Sequence, residues 1–507
     1  MKLRNILSAF GAAAVLFGLS ACADTDAKYE VTPMAAPEFV SATPDADTWL
    51  IGDNTISVQF NENIGFATKN TSQILFDGEP VSKALVLGAS NTLTVYVSSD
   101  LKDTHTLHIP AGLVVTADKQ AYNQDIDLTW TCPTVPDNDA AKMTKQLGWG
   151  WNLGNHFETS DMTWGYWDGA TPTQSVYTAL AAAGAKTVRI PVTWTAHMTD
   201  GANIDPDFLD EIAQNVDWAI GAGLNVIVNT HHDTFETELG NAANDPSVRE
   251  SCERLISTIW AQVAAKLGSR SDKLIFETFN EIHEEYTTEE GEHVENWGTC
   301  NASMQEVLKE WNQVAVDAIR ANEGATKHWI GIPGFAANIA NTIAYPVMPD
   351  DSANKLMVAV HCYDPYNFCL STGQTWGHTT TGGSMTDEKA VIDVFQTLYN
   401  NYISQNIPVY MGEYGCSEHE AASSNLCRKY YLNFFCRLAH KFGIPMLLWD
   451  NMNLEPGTES HGFINHNNGE YVRDGKTLIP MMIEAATSDD SSYDMQSIWN
   501  SAPQFHE

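Results

Sequence analysis

Two glutamates lie at or near the ends of two separate apolar segments of the chain. LIFETFNE (274–281) ends in Asn280 and Glu281, and PVYMGEYG (408–415) carries Glu413. Taken alone, either segment could be an ordinary strand that leads into a solvated helix. If both are strands of one parallel barrel, their ends meet at one mouth. Two opposed glutamates can then cleave a glycosidic bond with retention, one as acid/base and one as nucleophile, if their carboxyl groups lie about 5–5.5 Å apart.

Polar or aromatic residues also end most of the other apolar segments. Active sites of (β/α)8 barrels lie at the C-terminal ends of the strands, so this repetition predicts one site at one barrel mouth. The aromatic members suit stacking on the apolar faces of sugar rings, whereas the lysines and glycine loops of a phosphoryl-transfer site are absent. The residues are Asn155, His156, Arg189, Trp194, His231, His232, Asp233, His361, Cys362, Tyr363, Trp449, Asp450 and Asn451.

Eight short apolar segments, separated by amphipathic stretches, predict the strands that position these residues. This pattern favours an α/β fold, a (β/α)8 TIM barrel spanning 140–507. A doubly wound sheet is the alternative, less favoured because no glycine-rich phosphate loop follows the first segment. The segments are GWGWNLGN (148–155), KTVRIPV (186–192), NVIVNTH (225–231), LIFETFNE (274–281), HWIGIPG (328–334), MVAVHCYD (357–364), PVYMGEYG (408–415) and MLLWDN (446–451).

The preceding region, 36–133, has a different pattern. Stretches such as TISVQFN, LTVYVSS and HTLHIPAG alternate apolar with polar residues and are separated by Gly, Asp, Asn and Pro. Such a pattern predicts a small antiparallel β-sandwich, and the region resembles the immunoglobulin-like modules of bacterial surface proteins. Because it has no obvious aromatic platform, we interpret it as a spacer rather than a glycan-binding module. Residues 134–139 are the predicted linker.

The N-terminus has the features of an export signal. Lys2 and Arg4 precede a short apolar segment that ends in LSAC, with Cys22 as its last residue. This ending resembles a bacterial lipoprotein box, in which Cys22 is lipidated and becomes the new N-terminus, and 23–35 would then be a tether. An ordinary secretory signal is the alternative. The lipoprotein interpretation predicts a lipid-anchored protein of the bacterial cell envelope, at the outer membrane, with the leaflet left open.

The size, charge and cysteine content of the chain limit the number of domains, the possible partners and the possible metal sites. The 507 residues indicate two domains, and the formal net charge of -37 disfavours nucleic acid and anionic membranes as partners. We therefore expect membrane contact only through the lipid anchor, and a monomer. Eight cysteines remain besides Cys22; none shows the paired spacing of a zinc site, and their disulfide pairing stays open.

The catalytic region resembles glycoside hydrolase family 5, a retaining (β/α)8 family with many endo-β-1,4-glucanases. Within it, GWNLGN and HCYDPYNF are most similar to the endoglucanase and xyloglucanase branch. Three features depart from the family pattern: NHF after GN, Ile282 in place of a common proline, and GEYG in place of GEFG. These departures affect substrate preference rather than the reaction. The motifs occur in family order: GWNLGN (150–155), VRIPVTW (188–194), VNTHHD (228–233), FNE (279–281), HCY (361–363), GEYG (412–415) and LWDN (448–451).

The resemblance assigns Glu281 as acid/base and Glu413 as nucleophile. Glu281 must hold a proton near neutral pH, which burial and a nearby negative charge favour, whereas Glu413 must stay ionised. Arg189 is the expected cationic partner of Glu413. We expect Tyr363 to donate to Glu413, and His361 to lie near Glu281.

The resemblance also implies substrate contacts. Asn280 would bond the sugar 2-OH, His231 would contact the sugar at the cleavage subsite, and Trp449 would stack on a ring. Asn155 and Trp194 are further candidates. His232 is expected to support the barrel. Adjacent histidines on a strand point to opposite faces, so we predict no metal, and no other cofactor is needed.

Five further residues are interpreted from their positions in the predicted strands and loops. Trp164 and Trp167 either extend the cleft toward distant sugars or pack the loop MTWGYWDG. Glu277 shares strand parity with Glu281 and should lie in the polar barrel interior, while Glu284 and Glu285 should begin a solvated helix.

The sequence thus predicts an enzyme that cleaves internal β-1,4 linkages of cellulose-like β-glucans. Xyloglucan, mixed-linkage glucan and mannan are alternative substrates, and a non-catalytic surface glycan-binding protein is the alternative class.

Overall fold

The structure is a computed structural model that describes residues 34–503 apart from 47, 99, 289, 372 and 378–385, and apart from the side chain of Trp164. The predicted signal, Cys22 and most of the predicted tether lie outside the described residues. In the part of the chain that is described, no helix combines the length and the apolar character that a bilayer span requires.

An antiparallel β-sandwich forms the N-terminal part, as predicted. One sheet has the order β1-β2-β6-β5 with β8 on β2, and the other has the order β4-β3-β7-β9. In β2, Ile56, Val58 and Phe60 are buried while the residues between them are not, so the period-two pattern directs one face into the core. The strands are β1 Phe39–Thr43, β2 Thr55–Phe66, β3 Leu75–Phe76, β4 Glu79–Pro80, β5 Lys83–Val86, β6 Ser90–Tyr96, β7 Thr104–Ile109, β8 Val114–Thr116 and β9 Ile126–Thr131.

The remaining strands form a closed parallel barrel, and the predicted (β/α)8 fold is confirmed. All eight predicted segments contribute a barrel strand, and β19 pairs with β10 to close the ring, which rules out a doubly wound sheet. Two further strands, β14 and β15, form a separate hairpin. The strands are β10 Trp149–Asn152, β11 Thr187–Ile190, β12 Asn225–Asn229, β13 Leu274–Glu277, β14 Glu284–Thr287, β15 His293–Asn296, β16 Trp329–Asn338, β17 Leu356–Cys362, β18 Val409–Tyr414 and β19 Met446–Leu448.

Helices surround the barrel, and local sequence signals fix several of their ends. Asp245 accepts the N–H of Ser247 at the start of α5, where Pro246 supplies the fixed φ of a first helical residue. The helices are α1 Asp139–Leu147, α2 Gln174–Ala183, α3 Pro206–Gly221, α4 Leu239–Asn244, α5 Pro246–Leu267, α6 Ala302–Asn322, α7 Ile339–Ala344, α8 Tyr366–Cys369, α9 Thr386–Asn401, α10 Ala422–Phe442, α11 Gly475–Thr487 and α12 Met495–Asn500.

The end of the barrel opposite the mouth is filled by apolar side chains. Met143 and Leu147 of α1, which leads directly into β10, pack with inward-facing strand residues such as Ile275, Ala359 and Leu447. The helix therefore plugs the N-terminal end of the barrel and leaves the C-terminal end to the polar residues.

The sandwich packs against this same N-terminal end. Trp49 lies 6.2 Å, centroid to centroid, from Phe442, and Lys441 pairs with Asp103 at 2.5 Å. Phe442 ends α10, shortly before β19 begins at Met446, so the contact lies at the strand starts. The sandwich is thus attached away from the barrel mouth.

One local prediction is wrong. Glu284 and Glu285 do not begin a helix; they lie in β14, which pairs with β15 in an antiparallel hairpin. Gly291 takes a φ of 86° in the turn, and Asn296 Nδ2 donates to Glu284 Oε2 at 2.9 Å. The acidic residues are tied to a partner strand that a local helix signal could not reveal.

Candidate active site

Glu281 and Glu413 face each other at the C-terminal end of the barrel. Glu413 lies within β18, and Glu281 follows β13 by four residues. One carboxylate oxygen of each, together with a ring nitrogen of His361, lies within 4.8 Å of the others. Inverting enzymes hold their carboxyl groups about 6.5–9.5 Å apart, so this closer approach suits a retaining arrangement.

The surroundings of Glu413 keep its carboxylate ionised. Arg189 Nη1 donates to Oε1 at 2.8 Å and the Tyr363 hydroxyl donates to Oε2 at 2.9 Å. Burial raises the pKa of Glu413, but the charges of His361 and Arg189 and the bond from Tyr363 outweigh it and hold the pKa below its ordinary value. The expected contacts of Arg189 and Tyr363 are present.

Arg189 is fully buried beneath the two carboxylates and donates hydrogen bonds to several residues there. Its Nη2 and Nε donate to Glu277 Oε1 at 2.7 and 3.0 Å, and its Nη1 also donates to Asn152 Oδ1 at 3.0 Å. Glu277 accepts further bonds from Asn229 Nδ2 at 3.0 Å and from the Tyr410 hydroxyl at 2.5 Å. A buried charge is stable only when paired and hydrogen-bonded, and this network meets that condition. Glu277 lies in the polar barrel interior, as expected.

Asn280 is oriented by the same guanidinium. Arg189 Nη2 donates to Asn280 Oδ1 at 2.8 Å, so the oxygen of the amide faces the arginine. Asn280 also lines the cleft, and its NH2 group is the part of the amide left to meet a substrate hydroxyl. This orientation agrees with the contact to a sugar 2-OH that the resemblance implies.

His361 joins the two carboxylates. Its Nδ1 is hydrogen-bonded to Glu281 Oε1 at 2.6 Å and lies 3.8 Å from Glu413 Oε2. Burial lowers the pKa of His361, but the two glutamates raise it above its ordinary value. The ring therefore sits beside the acid/base candidate, as expected, and couples its charge to that of Glu413.

These residues open into a cleft of about 860 Å³. Trp449 and His231 line it with nearly parallel rings, whose centroids lie 6.0 Å apart. A Cβ on Gly154 would lie 2.9 Å from Trp449 Cζ2 and 2.7 Å from the Asp450 carbonyl, so only glycine fits behind the indole. Both aromatic candidates are placed where a sugar ring can stack.

Two predicted substrate contacts are corrected. Trp194 is fully buried: its Nε1 donates to the Asn229 carbonyl at 2.9 Å and its ring packs edge-on against Phe208. Phe208 belongs to α3, so the indole lies in the core against this helix instead of in the cleft. Asn155 has a φ of 59°, and its carbonyl accepts the N–H of Asp168 at 2.8 Å. It shapes a turn and is not among the residues that line the cleft.

His232 does more than support the barrel. It lines the cleft, is hydrogen-bonded to Glu236 Oε2 at 3.0 Å, and its ring lies 6.0 Å from that of Trp167. Burial lowers the pKa of His232, but the charge of Glu236 raises it to about 9. Trp167 is 47% exposed and is not among the residues that line the cleft, so its two interpretations stay open.

The sequence analysis missed several supporting residues. Asn152, Asn229 and Tyr410 bind the Arg189–Glu277 pair from inside the barrel. Asn152 and Asn229 lie within the motifs GWNLGN and VNTHHD but were given no role, and Tyr410 lies just before GEYG. Strand parity could have found them, since Asn229 lies two residues before His231 and Tyr410 two before Gly412. The exposed aromatic residues Trp297 and Tyr366 also line the cleft. Trp297 follows β15 in a loop without a sequence signal, and Tyr366 begins α8 within the HCYDPYNF segment but was given no role.

Among the described residues, two groups bring three possible metal ligands together. Glu281, His361 and Glu413 form the first, and half-buried Glu285 with exposed His293 and Glu295 forms the second. In the first group, Arg189 already holds Glu413 at 2.8 Å and places a positive charge where a cation would bind. The arrangement is suited to acid/base and nucleophilic chemistry by the carboxylates themselves.

Comparison with known proteins agrees with this geometry. The family model described as "Cellulase (glycosyl hydrolase family 5)" matches 150–455, and a bacterial Ig-like domain model matches 33–132. Endoglucanase 1 of Ruminococcus albus is 30% identical over 391 residues, which are 75% of this chain and 86% of that protein. Endoglucanase A of Paenibacillus barcinonensis is 29% identical over 62% of this chain and 82% of its own length.

Solved structures of GH5 enzymes are also similar to this chain. A native Bacteroidetes-affiliated GH5 cellulase linked with a polysaccharide utilization locus has a TM-score of 0.66 and 33% identity, covering 73% of this chain and 98% of its own. A GH5-4 broad-specificity endoglucanase from Bacteroides salanitronis has a TM-score of 0.62 and 34% identity, covering 70% and 96%. Both solved chains, a GH5 cellulase and a GH5-4 endoglucanase, are matched over nearly their full length.

Proposed function

Since the chain belongs to glycoside hydrolase family 5, we propose that it cleaves internal β-1,4-glucosidic linkages of cellulose-like β-glucans with retention of configuration. The observation that carries this proposal is the carboxylate pair within 4.8 Å, with Arg189 and Tyr363 bound to one member and His361 to the other.

In this proposal, each step has its own residue. In the first step, Glu413 attacks the anomeric carbon while Glu281 protonates the departing glycosidic oxygen, and a covalent glycosyl-enzyme forms. In the second step, Glu281 removes a proton from water, which attacks the same carbon and releases Glu413. Two inversions at one carbon give net retention. Asn280 contributes a hydrogen bond to the sugar 2-OH that strengthens in the transition state.

The choice among β-glucans is part of this proposal. Xyloglucan, mixed-linkage glucan and mannan would be cleaved by the same carboxylates, and the loops around the cleft select among them. A GH5 lichenase from Caldicellulosiruptor is among the similar solved structures, at 26% identity, so mixed-linkage glucan is the second substrate to test.

The experiment is a substrate panel with the variant that lacks residues 1–22. We expect release of reducing ends from carboxymethyl-cellulose or mixed-linkage glucan, with xyloglucan, glucomannan and xylan as further arms. Viscosity should fall steeply before many reducing ends appear, because endo cleavage cuts inside chains. The Glu413→Gln variant is the control for contaminating activity. Binding to the polymers without release of reducing ends from any of them would contradict hydrolysis and favour a glycan-capture protein.

We also propose that the protein is a monomer, anchored to the bacterial outer membrane through a lipid on Cys22. The ending LSAC supports the lipid anchor. The contact of Trp49 and Asp103 with the barrel end opposite the mouth supports the sandwich as a spacer. A sandwich attached there acts as a spacer that turns the cleft away from the tether. The net charge of -37 leaves the lipid as the means of membrane contact.

Replacing Cys22 with serine is expected to move the protein from the membrane fraction to the soluble fraction, because serine cannot form the thioether that holds the lipid. Fractionation of cells, with detergent release and labelling by a clickable fatty acid, measures this. Cys252→Ser, at a buried cysteine of α5, is the matched control and should remain in the membrane fraction. An unlabelled wild-type protein in the soluble fraction would contradict the anchor.

A further inference from the structure

Two acidic side chains lie opposite each other on the β14–β15 hairpin. The strand register pairs Glu285 directly with Glu295. Like charges at opposed positions of two antiparallel strands repel each other and destabilise the pairing. A two-stranded hairpin is only marginally stable by itself, so we expect a compensating positive charge nearby. The proposed reaction uses neither of these carboxylates.

His293 brings a third possible metal ligand to the same face of the hairpin. It lies two residues before Glu295 on β15, and alternate residues of a strand share a face. His293 Nε2 lies 3.6 Å from Glu285 Oε2 and 3.8 Å from Glu295 Oε1. The three side chains are between 31% and 58% exposed, so an ion from solvent can reach them. Imidazole and carboxylate groups together are suited to a divalent cation.

A second observation, on a buried histidine, points to a cation at the same place. His283 is 2% exposed, and its Nδ1 lies 2.7 Å from the main-chain oxygen of Glu281. A carbonyl oxygen can only accept, so Nδ1 carries the proton, and Nε2 of the neutral ring holds a lone pair. This Nε2 lies 3.4 Å from Glu285 Oε1, so two acceptors face each other without a donor between them. A main-chain carbonyl that fixes the tautomer in this way is typical of histidines that bind metals.

The donor types and their spacing identify the class of ion. Zn²⁺ binds nitrogen and carboxylate oxygen at about 2.0–2.2 Å in a tetrahedron, which places neighbouring donor atoms about 3.3–3.6 Å apart. The three nitrogen–oxygen separations in this group are 3.4, 3.6 and 3.8 Å. Ca²⁺ and Mg²⁺ prefer oxygen donors throughout, so two imidazoles select against them. The formal net charge of -37 attracts cations to the surface of the chain.

We propose that the hairpin binds one divalent transition-metal ion of the Zn²⁺ class. Glu285, His293 and Glu295 are its ligands, and Nε2 of His283 is the fourth donor. The ion neutralises the two opposed carboxylates and fastens the hairpin to the segment that carries Glu281. Trp297 Nε1 donates to Glu295 Oε2 at 3.1 Å, which orients this ligand and leaves its Oε1 for the ion. Because Glu295 lines the cleft, the ion stabilises one wall of the cleft without contacting the reacting atoms.

Metal content measures the site directly. The protein is stripped with a chelator, dialysed against Zn²⁺ and analysed by elemental mass spectrometry. We expect the wild type to hold one more equivalent of zinc per chain than His293→Ala. The matched control is His108→Ala. His108 is an exposed histidine that lies opposite Asp127 on paired strands of the sandwich, at 2.8 Å, and the pair belongs to neither described group of three ligands. Its variant should keep the zinc content of the wild type.

Calorimetric titration with Zn²⁺ separates the ligands from the supporting residues. Loss of a supporting partner typically weakens metal binding about 10–100-fold, and removal of a ligand should weaken it more. Glu285→Gln, which keeps the shape of the side chain, and His293→Ala should therefore both lose measurable binding. His283→Phe keeps a ring against Trp297 but removes both nitrogens, and it should weaken binding at least about tenfold. Circular dichroism checks that each variant is folded.

Thermal unfolding gives a readout that depends on the ion alone. Zn²⁺ should raise the unfolding midpoint of the wild type, because a ligand that binds only the folded state stabilises it. It should leave the midpoints of His293→Ala and Glu285→Gln unchanged. Ca²⁺ and Mg²⁺ should shift none of the three proteins, since two of the four donors are imidazole nitrogens.

Two results would overturn the site. A wild type that binds no Zn²⁺ would show that His283 meets Glu285 as an imidazolium, with a proton in place of the ion. Equal zinc content in the wild type, His293→Ala and Glu285→Gln would place the metal on other residues. Neither result bears on the proposed function, because metal content and unfolding are measured without a glucan. Hydrolysis by a zinc-free wild type would overturn the metal site while the proposed function stands.

Discussion

Replacing Glu413 with glutamine is expected to lower kcat on β-glucan by at least about 10⁴-fold, which corresponds to about 5 kcal/mol of transition-state stabilisation. An amide cannot form the glycosyl ester, so the first step loses its nucleophile. The substitution should leave the fold intact, because the amide oxygen can still accept from Arg189, whose charge remains paired with Glu277 at 2.7 Å.

Steady-state hydrolysis measures this loss, with circular dichroism and thermal unfolding as checks on folding. Glu420→Gln is the matched control: Glu420 is an exposed glutamate in the loop after the same strand, and its variant should retain wild-type activity. Activity of Glu413→Gln within tenfold of the wild type would show that another group attacks the anomeric carbon.

Replacing Glu281 with glutamine should produce a loss that depends on the leaving group. General acid catalysis contributes about 10²–10⁴-fold, so we expect a decrease of about 10³-fold on β-glucan, whose leaving oxygen needs a proton. A 2,4-dinitrophenyl cellobioside needs no proton to depart, so the glycosyl-enzyme should still form and then accumulate. The contrast arises because Glu281 acts on the leaving oxygen and Glu413 on carbon.

Burst kinetics and added azide test this role. The variant should release one equivalent of dinitrophenol rapidly, and azide should restore turnover and yield the β-glycosyl azide, since azide needs no general base. Glu413→Gln provides the comparison and should show neither burst nor rescue. Equal losses of the Glu281 variant on both substrates, without a burst, would refute the acid/base assignment.

The barrel was predictable because its signals are local. Each of the eight strands is a short apolar run with a polar end, and parallel strands in a barrel bring those ends to one face. The sandwich was predictable for a similar reason, since alternation in segments such as TISVQFN indicates one buried face. Neither required knowledge of contacts between distant residues.

The site was only partly predictable. The contacts of Glu413 with Arg189 and Tyr363, and of Glu281 with His361, were expected from the resemblance to a family. The sequence does not distinguish strand-end residues that face the cleft from those that turn away from it. Trp194 stands at such an end, yet its indole finds a partner in the Asn229 carbonyl inside the core.

The hairpin shows a different limit of sequence reasoning. The acidic stretch around Glu284 resembles a solvated helix start, but pairing with His293–Asn296 fixes it as a strand. That pairing brings Trp297 to the cleft, so tertiary structure decides both the secondary structure of this stretch and which of its residues line the cleft. Loop residues of this kind follow from tertiary structure alone.

Trapping of the covalent intermediate tests the central claim most directly. A 2-deoxy-2-fluoro cellobioside with a dinitrophenyl leaving group forms the glycosyl-enzyme quickly and hydrolyses it slowly, because the fluorine destabilises the oxocarbenium-like transition state of each step and the good leaving group offsets this in the first. Peptide mapping by mass spectrometry then locates the label. The structure predicts one label per chain on Glu413, with activity returning as the label is lost. A label on another residue, or inactivation of β-glucan hydrolysis without any covalent adduct, would contradict a retaining mechanism centred on Glu413.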